Sequence, residues 1–335
     1  MLRSVTRYVG LVEELEQAVA SGSLTPGTAL PSIRSLARER GVAPATVARA
    51  YAELARAGVV ETSPRRTTRV TAAGPARARR RLRGGQPLVL AGSDDPLLDL
   101  VLAVVSDEVE RLGVRGSSAG LAALWRGSVD AAALHLFDRG GEYNAPYAAR
   151  VLSGRTPRLV RLWRREQGLV VPPSNPAGLG TAADLARVGA AGRSAGRGAR
   201  GRAAGGARRG ARVTALRRAG TGTRLLTERL VREGGADPAD LRGPELDSHL
   251  DVALAVASGL AEAGVAVRSA AGALGLDFVP LAWEPFDLAM PAEALPRAEP
   301  LLEALGASAV ARRAGELGGY DLEGSGVVAA VPRAS

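Results

Sequence analysis

The 335-residue chain contains no cysteine and no lysine. Without cysteine it has no disulfide, no thiolate metal site and no thiol nucleophile. Without lysine it cannot form a Schiff base with pyridoxal phosphate, and a P-loop of the usual type would lack its phosphate-binding side chain. The two absences exclude several common classes of enzyme, and they leave arginine as the source of all 44 basic side chains.

Long apolar runs are missing as well. No stretch of about 18 apolar residues occurs, so no transmembrane helix is expected. The N-terminal segment carries Glu13, Glu14 and Glu16 in an amphipathic pattern, unlike the apolar core of a signal peptide. These features predict a cytoplasmic protein that does not interact with membranes. The chain has only two histidines, His135 and His249. Since an isolated histidine is more often structural than a ligand, no metal site is predicted.

Positive charge is concentrated in two parts of the sequence. Residues 1–85 carry 15 arginines against 6 acidic residues, and residues 189–212 carry 7 arginines and no acidic residue. The remaining segments are close to neutral or acidic, although the net charge of the whole chain is +10. This distribution predicts contact with nucleic acid in limited regions of an otherwise ordinary soluble protein.

The N-terminal residues have the pattern of three helices followed by a hairpin. Apolar residues at helical spacing predict a helix over 5–20, with Val9 and Leu11 on its buried face. A second helix is expected to begin at Pro31-Ser32 and bury Ile33, and a third covers 44–57. Residues 59–62 and 68–71 alternate as two short strands around a basic turn. Exposed residues near the start of the third helix would meet base edges, and the basic hairpin would contact phosphates.

This pattern, built around Leu30-Pro31-Ser32 and Arg34, resembles the winged helix-turn-helix of the GntR family of bacterial regulators. The resemblance covers nearly all of residues 5–72. It implies DNA contacts from the second and third helices and from the wing. The residues so implied are Ser32, Arg34, Thr46, Arg49, Arg65, Arg66 and Thr68.

Two segments are biased in composition. Residues 73–86 are rich in arginine without an apolar period, which predicts a basic linker, either a solvated tether or one that also follows DNA phosphates. Residues 189–212 contain only glycine, alanine, arginine and Ser194, and such a segment is expected to be a disordered insert. A tolerated insertion, an arm with nonspecific DNA affinity and a shifted reading frame are alternative explanations of it.

From residue 87 onward, apolar strands alternate with helices, which predicts an α/β domain with parallel strands. A strand over 88–91 should precede a helix from Asp95 through Val109. Short turns rich in glycine, serine and threonine open helices at 92–94, 116–120 and 220–224. Helix starts of this kind provide free N–H groups, hydroxyls and a positive dipole end. If the three converge they can bind an anion, although serine and threonine are also ordinary helix caps.

The motifs of this region are similar to those of a periplasmic-binding-protein-like domain found in cytoplasmic regulators and beside some molybdopterin-biosynthesis proteins. They include the stretches 88–96, 131–136, 141–144, 162–169, 220–224 and 276–281. The resemblance implies a two-lobed (type II) fold that closes on a small ligand, with molybdate or tungstate as the suspected effector. The candidate ligand-binding residues are Ser93, Ser117, Ser118, His135, Tyr143, Asn144, Thr221 and Thr223.

The sequence therefore predicts a multidomain protein: a winged helix-turn-helix domain over residues 1–72, the linker over 73–86, and a ligand domain over 87–330. Its expected function is ligand-responsive transcription regulation by a homodimer that binds operator DNA and a small anion. Neither catalytic residues nor a cofactor are predicted. Two alternatives remain open: an enzyme related to molybdenum-cofactor synthesis, and an architectural DNA-binding protein that needs no ligand.

Overall fold

The structure is a computed structural model that describes residues 2–62, 67–82, 84, 86–138, 140–198 and 213–332. The chain divides into two compact units, residues 1–87 (unit 1) and 88–335 (unit 2). The wing arginines Arg65 and Arg66 lie outside the described residues.

Unit 1 contains three helices, a small sheet and a fourth helix. The elements are α1 (Leu2–Ala20), α2 (Ile33–Arg40), α3 (Pro44–Arg56), β1 (Val60–Glu61), β2 (Arg69–Val70) and α4 (Gly74–Leu82). The two strands are antiparallel, and Ala29 adds a bridge to Arg69 on the other edge of β2. Apolar residues of α1 and α3, with Leu36, Val59 and Val70, form one core. The winged-helix expectation is confirmed by this arrangement.

Two apolar residues of unit 1 are more exposed than predicted. Ile33 is 38% exposed and Val9 is 42% exposed, although both were expected to be buried. The helix α2 has only eight residues and buries Leu36 and Ala37, which leaves its first residue on the outer side. Among the side chains of α1 that the structure describes, Leu11 and Val12 are the first that are buried.

Most of the predicted basic linker over 73–86 is a packed helix, so the alternative of a solvated tether was wrong. Helix α4 packs against α1, with Ala78 fully buried. A side chain at Gly74 would place its Cβ only 2.5 Å from the carbonyl oxygen of Val59. Alanine and arginine both favour helices, and the long arginine side chains reach acceptors on neighbouring elements. A segment without an apolar period can therefore pack against a neighbouring helix when a single alanine is buried between them.

Unit 2 is built on a ten-stranded mixed sheet with the order β4-β3-β5-β10-β6-β9-β7-β8, and β11 and β12 also pair with β6. Its strands are β3 (Leu88–Gly92), β4 (Val109–Arg115), β5 (Ala131–Leu134), β6 (Pro157–Val171), β7 (Thr214–Arg217), β8 (Glu245–Leu246), β9 (Ala263–Val267), β10 (Asp277–Pro291), β11 (Tyr320–Asp321) and β12 (Val328–Ala330). Its helices are α5 (Pro96–Val104), α6 (Ser117–Trp125), α7 (Ala145–Val151), α8 (Ala182–Gly198), α9 (Gly222–Glu233), α10 (His249–Ala257), α11 (Arg268–Ala273), α12 (Leu295–Leu305) and α13 (Ser308–Leu317).

The long antiparallel pair β6 and β10 connects two lobes of unit 2. Each strand has 15 residues, and their register runs from Asp277 opposite Val171 to Pro291 opposite Pro157. The first lobe packs α5, α12 and α13 on one face of the sheet and α6 and α7 on the other. The second lobe packs α8 and α9 on one face and α10 and α11 on the other. The predicted α/β two-lobed fold is confirmed.

Two local predictions for unit 2 were wrong. The helix expected to continue to Val109 ends at Val104, and Val109 instead begins β4, which pairs in parallel with β3. The segment 189–198, expected to be disordered, continues helix α8 to Gly198. Alanine and arginine both have high helix propensity, which favours this extension. The rest of that insert, 199–212, lies outside the described residues.

Candidate functional site

The second helix of unit 1 places two predicted DNA contacts at its start. Ser32 is the N-cap of α2, and its Oγ accepts a hydrogen bond of 3.1 Å from the backbone N–H of Ser35. Arg34 is exposed in the first turn. The start of α2 is tied to α3 because the Tyr51 hydroxyl donates to the carbonyl oxygen of Pro31 at 2.8 Å. Burial, with a smaller contribution from Glu39, raises the pKa of Tyr51 to about 12, so this hydroxyl keeps its proton.

The third helix presents Arg49 to solvent but also uses it in packing. The Arg49 guanidinium carbon lies 4.3 Å from the centre of the Tyr8 ring on α1. Thr46 is half-buried one turn before it, and Thr68 is half-buried beside the wing, where its carbonyl oxygen accepts the N–H of Leu30 at 2.8 Å. Among the described residues, the predicted DNA contacts thus lie at the start of α2 (Ser32, Arg34), on α3 (Thr46, Arg49) and beside the wing (Thr68).

Two exposed residues of the same helices were missed by the sequence analysis. Arg38 lies one turn after Arg34 on α2, and Ala48 is exposed on α3 beside Ala45. The spacing of four between the two arginines was the available signal. An exposed alanine can contact a thymine methyl group, so small residues here are compatible with reading a major groove.

The predicted serines of unit 2 divide into a buried pair and an exposed residue. Ser93 follows β3 and Ser117 begins α6, and their Oγ atoms are 2.7 Å apart. Ser117 Oγ also accepts the backbone N–H of His135 at 3.3 Å. Ser118 is exposed and faces the turn of the second lobe, where a Cβ built on Gly220 would lie 3.9 Å from its Oγ.

The predicted turn of the second lobe meets the first lobe directly. Thr221 caps α9, since its Oγ1 accepts the N–H of Arg224 at 3.3 Å and donates to the carbonyl oxygen of Arg218 at 2.8 Å. A Cβ on Gly116 would lie 3.2 Å from Thr221 Cγ2. Thr223 is buried, and its Oγ1 accepts from Gln167 Nε2 at 3.0 Å. The helix starts at 116–118 and 221–223 are therefore brought together across the cleft between the lobes.

The remaining predicted residues have different roles. The Asn144 side chain is occupied by the fold: it accepts the N–H of Leu136 at 2.7 Å and donates to Asp287 Oδ2 at 2.7 Å. Tyr143 stacks edge-on against Phe137, with ring centres 4.9 Å apart, and burial raises its pKa. His135 Nδ1 lies 2.8 Å from Glu284 Oε1, and both side chains are buried. Burial lowers the pKa of His135 despite this carboxylate.

A buried ionic network, not anticipated from the sequence, connects the two lobes at the same place. Arg217 on β7 donates to Asp94 Oδ1, and the backbone N–H of His249 donates to Asp94 Oδ2 at 3.3 Å. Arg165 on β6 donates to Asp95 Oδ2 at 2.8 Å and to the carbonyl oxygen of Asp94 at 3.1 Å. Asp94 belongs to the first lobe and Arg217 to the second. The network thus holds the lobes together around Asp94.

The network continues along the paired strands. Arg165 Nε donates to Glu284 Oε1 at 3.0 Å, and Gln167 Nε2 donates to the same oxygen. Burial raises the pKa of Asp95, with Arg165 acting in the opposite direction. For Glu284, burial acts against ionisation, but the hydrogen bonds from His135 and Gln167 and the charge of Arg165 outweigh it and hold its pKa below the usual value.

Several buried nitrogens of this network have no hydrogen-bond partner among the described residues. They are Arg165 Nη2, Arg217 Nε, and both ring nitrogens of His249. His249 is 1% exposed, and burial together with the cations Arg217 and Arg165 lowers its pKa well below the ordinary value. A guanidinium N–H can only donate. A buried polar group without a partner is costly, and the neutral His249 ring has one donor and one acceptor nitrogen, so these groups are available for contact with a bound molecule.

A cavity of about 510 Å³ lies next to this network, and we call it the Asp94 cavity. Residues of the first lobe line one side and residues of α10 and α11 line the other. The polar lining includes Asp94, Asp95, Asp99, Arg111, Ser248, His249 and Ser269, and the apolar lining comprises Pro96, Leu112, Leu250, Ala270, Ala273 and Leu317.

In the part of the chain that the structure describes, no group of three or more His, Cys, Asp or Glu side chains is arranged to hold a metal ion. Among the described helices, none is both long enough and apolar enough to cross a membrane.

Comparison with known families agrees with this geometry. The family model described as "PBP superfamily domain" matches residues 110–204 and 207–306, more than half of the chain. The chain belongs to this family. A second model, "Bacterial regulatory proteins, gntR family", matches residues 7–70. The protein is therefore a GntR-type winged helix joined to a PBP-like domain.

Three curated proteins are similar to parts of this PBP-family chain. The uncharacterized protein YvgK of Bacillus subtilis (strain 168) is 28% identical over 227 residues, which is 66% of this chain and 65% of YvgK. The HTH-type transcriptional regulator Rv1152 of Mycobacterium tuberculosis (strain ATCC 25618 / H37Rv) is 57% identical over 47 residues, 14% of this chain and 39% of that protein. The HTH-type transcriptional repressor YtrA of Bacillus subtilis (strain 168) is 36% identical over 64 residues, 19% of this chain and 49% of that protein. The matched regions thus span less than two thirds of each relative.

Proposed function

We propose that the protein is a ligand-responsive transcription regulator. In this proposal, unit 1 binds operator DNA through α2, α3 and the wing, and unit 2 binds a small anionic ligand between its lobes. The observation that carries the ligand part is the group of unpartnered nitrogens on Arg165, Arg217 and His249 around Asp94. The family matches support the DNA part, because the gntR model covers the whole winged helix.

The anionic character of the ligand is argued from the local field. Burial lowers the pKa of His249 well below its ordinary value, and Arg217 and Arg165 lower it further, so the neutral ring can donate one N–H to an anion. The starts of α6 and α9 meet nearby, and helix N-termini add positive dipole ends. Molybdate and tungstate are the first inorganic anions to test, as the motif resemblance implies.

The DNA part is tested by selecting a duplex from a random library with the purified protein and measuring its dissociation constant by fluorescence anisotropy. Arg34→Ala should weaken binding by about tenfold, the loss expected for one direct arginine contact. Arg312→Ala removes an exposed arginine of unit 2 and serves as the matched control. Equal affinities for the two variants would contradict the assigned surface. Two copies on two half-sites form part of the proposal, and sedimentation of the complex measures that stoichiometry.

The ligand part is tested by thermal unfolding of the full chain with molybdate, tungstate, sulfate, phosphate or buffer alone. A ligand at 100 times its dissociation constant should add about 2.7 kcal/mol to the free energy of unfolding. The double variant Ser93→Ala, Ser118→Ala should lose any such stabilisation while keeping its affinity for the selected duplex. Unchanged ligand affinity in that variant would remove these serines from the site.

A further inference from the structure

We propose that the Asp94 cavity binds an uncharged organic molecule with an apolar body and one hydroxyl group, whose O–H donates to the ring of His249. This inference goes beyond the proposed function, because it adds a ligand of different chemistry beside the buried network. It does not depend on the anion, so either proposal can fail without the other.

The ring of His249 needs a donor as well as an acceptor. His249 lines the cavity, is 1% exposed, and has no hydrogen-bond partner for either ring nitrogen among the described residues. Burial keeps the ring neutral, so it carries one N–H and one bare nitrogen that can only accept. A fully deprotonated anion has no proton to donate, so it can satisfy the first nitrogen but not the second. The second nitrogen requires a ligand with an O–H or N–H group.

The charges around the ring favour an uncharged donor. After burial, Arg217 and Arg165 have the largest effects on the pKa of His249, and both lower it. The same two cations would act against an ammonium group placed at the ring. A hydroxyl group donates a hydrogen bond without meeting this repulsion.

The carboxylates of the lining are already paired and do not require a cation. Each of the three has an arginine partner within the described part of unit 2. The pairs are Asp94 with Arg217, Asp95 with Arg165, and Asp99 with Arg111. A charged ligand would lose its hydration without gaining an unpaired counter-charge, and that loss is costly. An uncharged ligand avoids this cost.

The rest of the cavity is suited to an apolar body. Its volume of about 510 Å³ falls within the range of small-molecule sites, which is roughly 300 to 1,000 Å³. Apolar side chains come from both lobes, with Pro96 and Leu112 on one side and Leu250 and Ala270 on the other. Gly113 and Leu250 are exposed, so solvent reaches the cavity past them. The body would therefore provide most of the contact, and the hydrogen bond to His249 would orient it.

Three compounds that share one apolar body test the charge of the ligand by calorimetric titration of the full-length protein. Cyclohexylmethanol carries a hydroxyl, cyclohexanecarboxylate carries a negative charge, and cyclohexylmethylammonium carries a positive charge at neutral pH. Because the body is the same, a difference in affinity reports the head group. Cyclohexylmethanol should bind about tenfold more tightly than either charged compound.

Two variants of His249 test the hydrogen bond. His249→Phe keeps a planar ring without nitrogen, whereas His249→Gln retains an amide that can both donate and accept. Cyclohexylmethanol should bind about tenfold more weakly to His249→Phe and less than about threefold more weakly to His249→Gln. Equal affinities of the two variants would contradict the hydrogen bond to this ring.

A variant that fills the cavity locates the binding without altering His249. Gly113 lines the cavity, and a Cβ built on it meets no atom within 4 Å, so the backbone there can carry a side chain. Gly113→Phe should weaken cyclohexylmethanol by about tenfold. Gly180→Phe is the matched control and should leave binding unchanged, because its Cβ also meets nothing within 4 Å and Gly180 is outside the lining.

Each other outcome overturns a stated part of the proposal. If cyclohexylmethylammonium or cyclohexanecarboxylate binds as tightly as cyclohexylmethanol, the uncharged class is wrong. If none of the three compounds binds, or if Gly113→Phe binds cyclohexylmethanol like the control, the cavity is not the site. The proposed anion response is tested with inorganic anions, so none of these results decides it.

Discussion

Gly222 brings the second lobe of unit 2 into direct contact with His135 of the first. A Cβ on Gly222 would lie 2.4 Å from the His135 carbonyl oxygen and 2.5 Å from its ring. Because one of the obstructing atoms belongs to the backbone, a rotation of the imidazole alone would not relieve the clash. The closed arrangement of the lobes therefore requires glycine at this position.

Gly222→Ala should lower the free energy of unfolding of unit 2 by about 1 to 3 kcal/mol, the usual cost of overpacking. Urea unfolding followed by tryptophan fluorescence measures this unit, since Trp125, Trp163 and Trp283 all lie in it. Gly180→Ala is the control and should change little, because its Cβ meets no neighbour. Equal stabilities of the two variants would show that the lobes do not close as described.

Acid should destabilise unit 2 through its histidines. Burial lowers the pKa of His249 and of His135 in the folded state, so the unfolded chain takes up these protons first as the pH falls through about 6.5. Stability is therefore fully present above that pH and is lost below it. Each histidine can contribute at most about 1.4 kcal/mol per pH unit.

The measurement is urea unfolding of the wild type and His249→Gln at pH 7.5 and 5.5. We expect the wild type to lose more stability between the two pH values than the variant does. If the wild type and the variant lose the same stability between the two pH values, His249 does not stay neutral in the folded protein.

At the residue scale, the hydroxyl side chains of the candidate site could be predicted from the sequence, but its buried charged side chains could not. Ser93, Ser117 and Thr223 were found because they follow glycine-rich turns at helix starts. Arg165 and Arg217 were missed, because a buried arginine in a chain with 44 of them has no distinguishing pattern. Their role depends on Asp94 and Asp95, which are far away in sequence and meet them only in the folded unit.

At the scale of secondary structure, ion pairs hold helix α4, the last helix of unit 1, against α1 and α3. Its Arg81 donates to Glu16 on α1 and to Glu53 on α3, the latter at 3.2 Å. The Glu16 side chain is 5% exposed, so loss of Arg81 would leave a buried carboxylate without this partner. By contrast, Arg56 also pairs with Glu53, but its side chain is 70% exposed.

Arg81→Gln should destabilise unit 1 by about 1 to 2 kcal/mol, a value reduced by the partial exposure of Arg81 to solvent. Arg56→Gln should cost less than about 0.5 kcal/mol, as expected for a surface pair. Hydrogen–deuterium exchange of peptides from α1 and α3 measures the effect, because unit 1 contains no tryptophan. Similar exchange rates in the two variants would assign α4 no stabilising role.

Elements with a clear apolar period were predicted well, and elements held by tertiary contacts were not. The third helix was expected over 44–57 and is found over Pro44–Arg56. Helix α4 lacks an apolar period because a single alanine and several arginine contacts hold it. Val109, the first residue of strand β4, was assigned to the preceding helix, since Val105 and Val109 fit a helical spacing as well as a strand.

For the whole molecule, the two-unit organisation followed from the change of sequence pattern at residue 87. The central pairing of β6 with β10 did not, because its partners are separated by more than 100 residues and no local pattern records which strands become neighbours. The cleft geometry depends on that pairing, so the candidate site could be predicted only in part.

The central claim is that ligand binding in unit 2 changes the DNA affinity of unit 1. Such coupling is reciprocal and typically amounts to about 1 to 3 kcal/mol, or roughly 5- to 150-fold in affinity. An architectural protein would instead bind DNA equally well with and without ligand. Ionic strength must be held constant, since DNA affinity falls steeply with salt.

The most direct test is the dissociation constant of the full-length protein for its selected duplex, with and without saturating molybdate or tungstate at fixed ionic strength. We predict that at least one of the two changes this constant by about fivefold or more. If both compounds saturate unit 2 and neither changes the DNA affinity, the protein is not a regulator that responds to these anions.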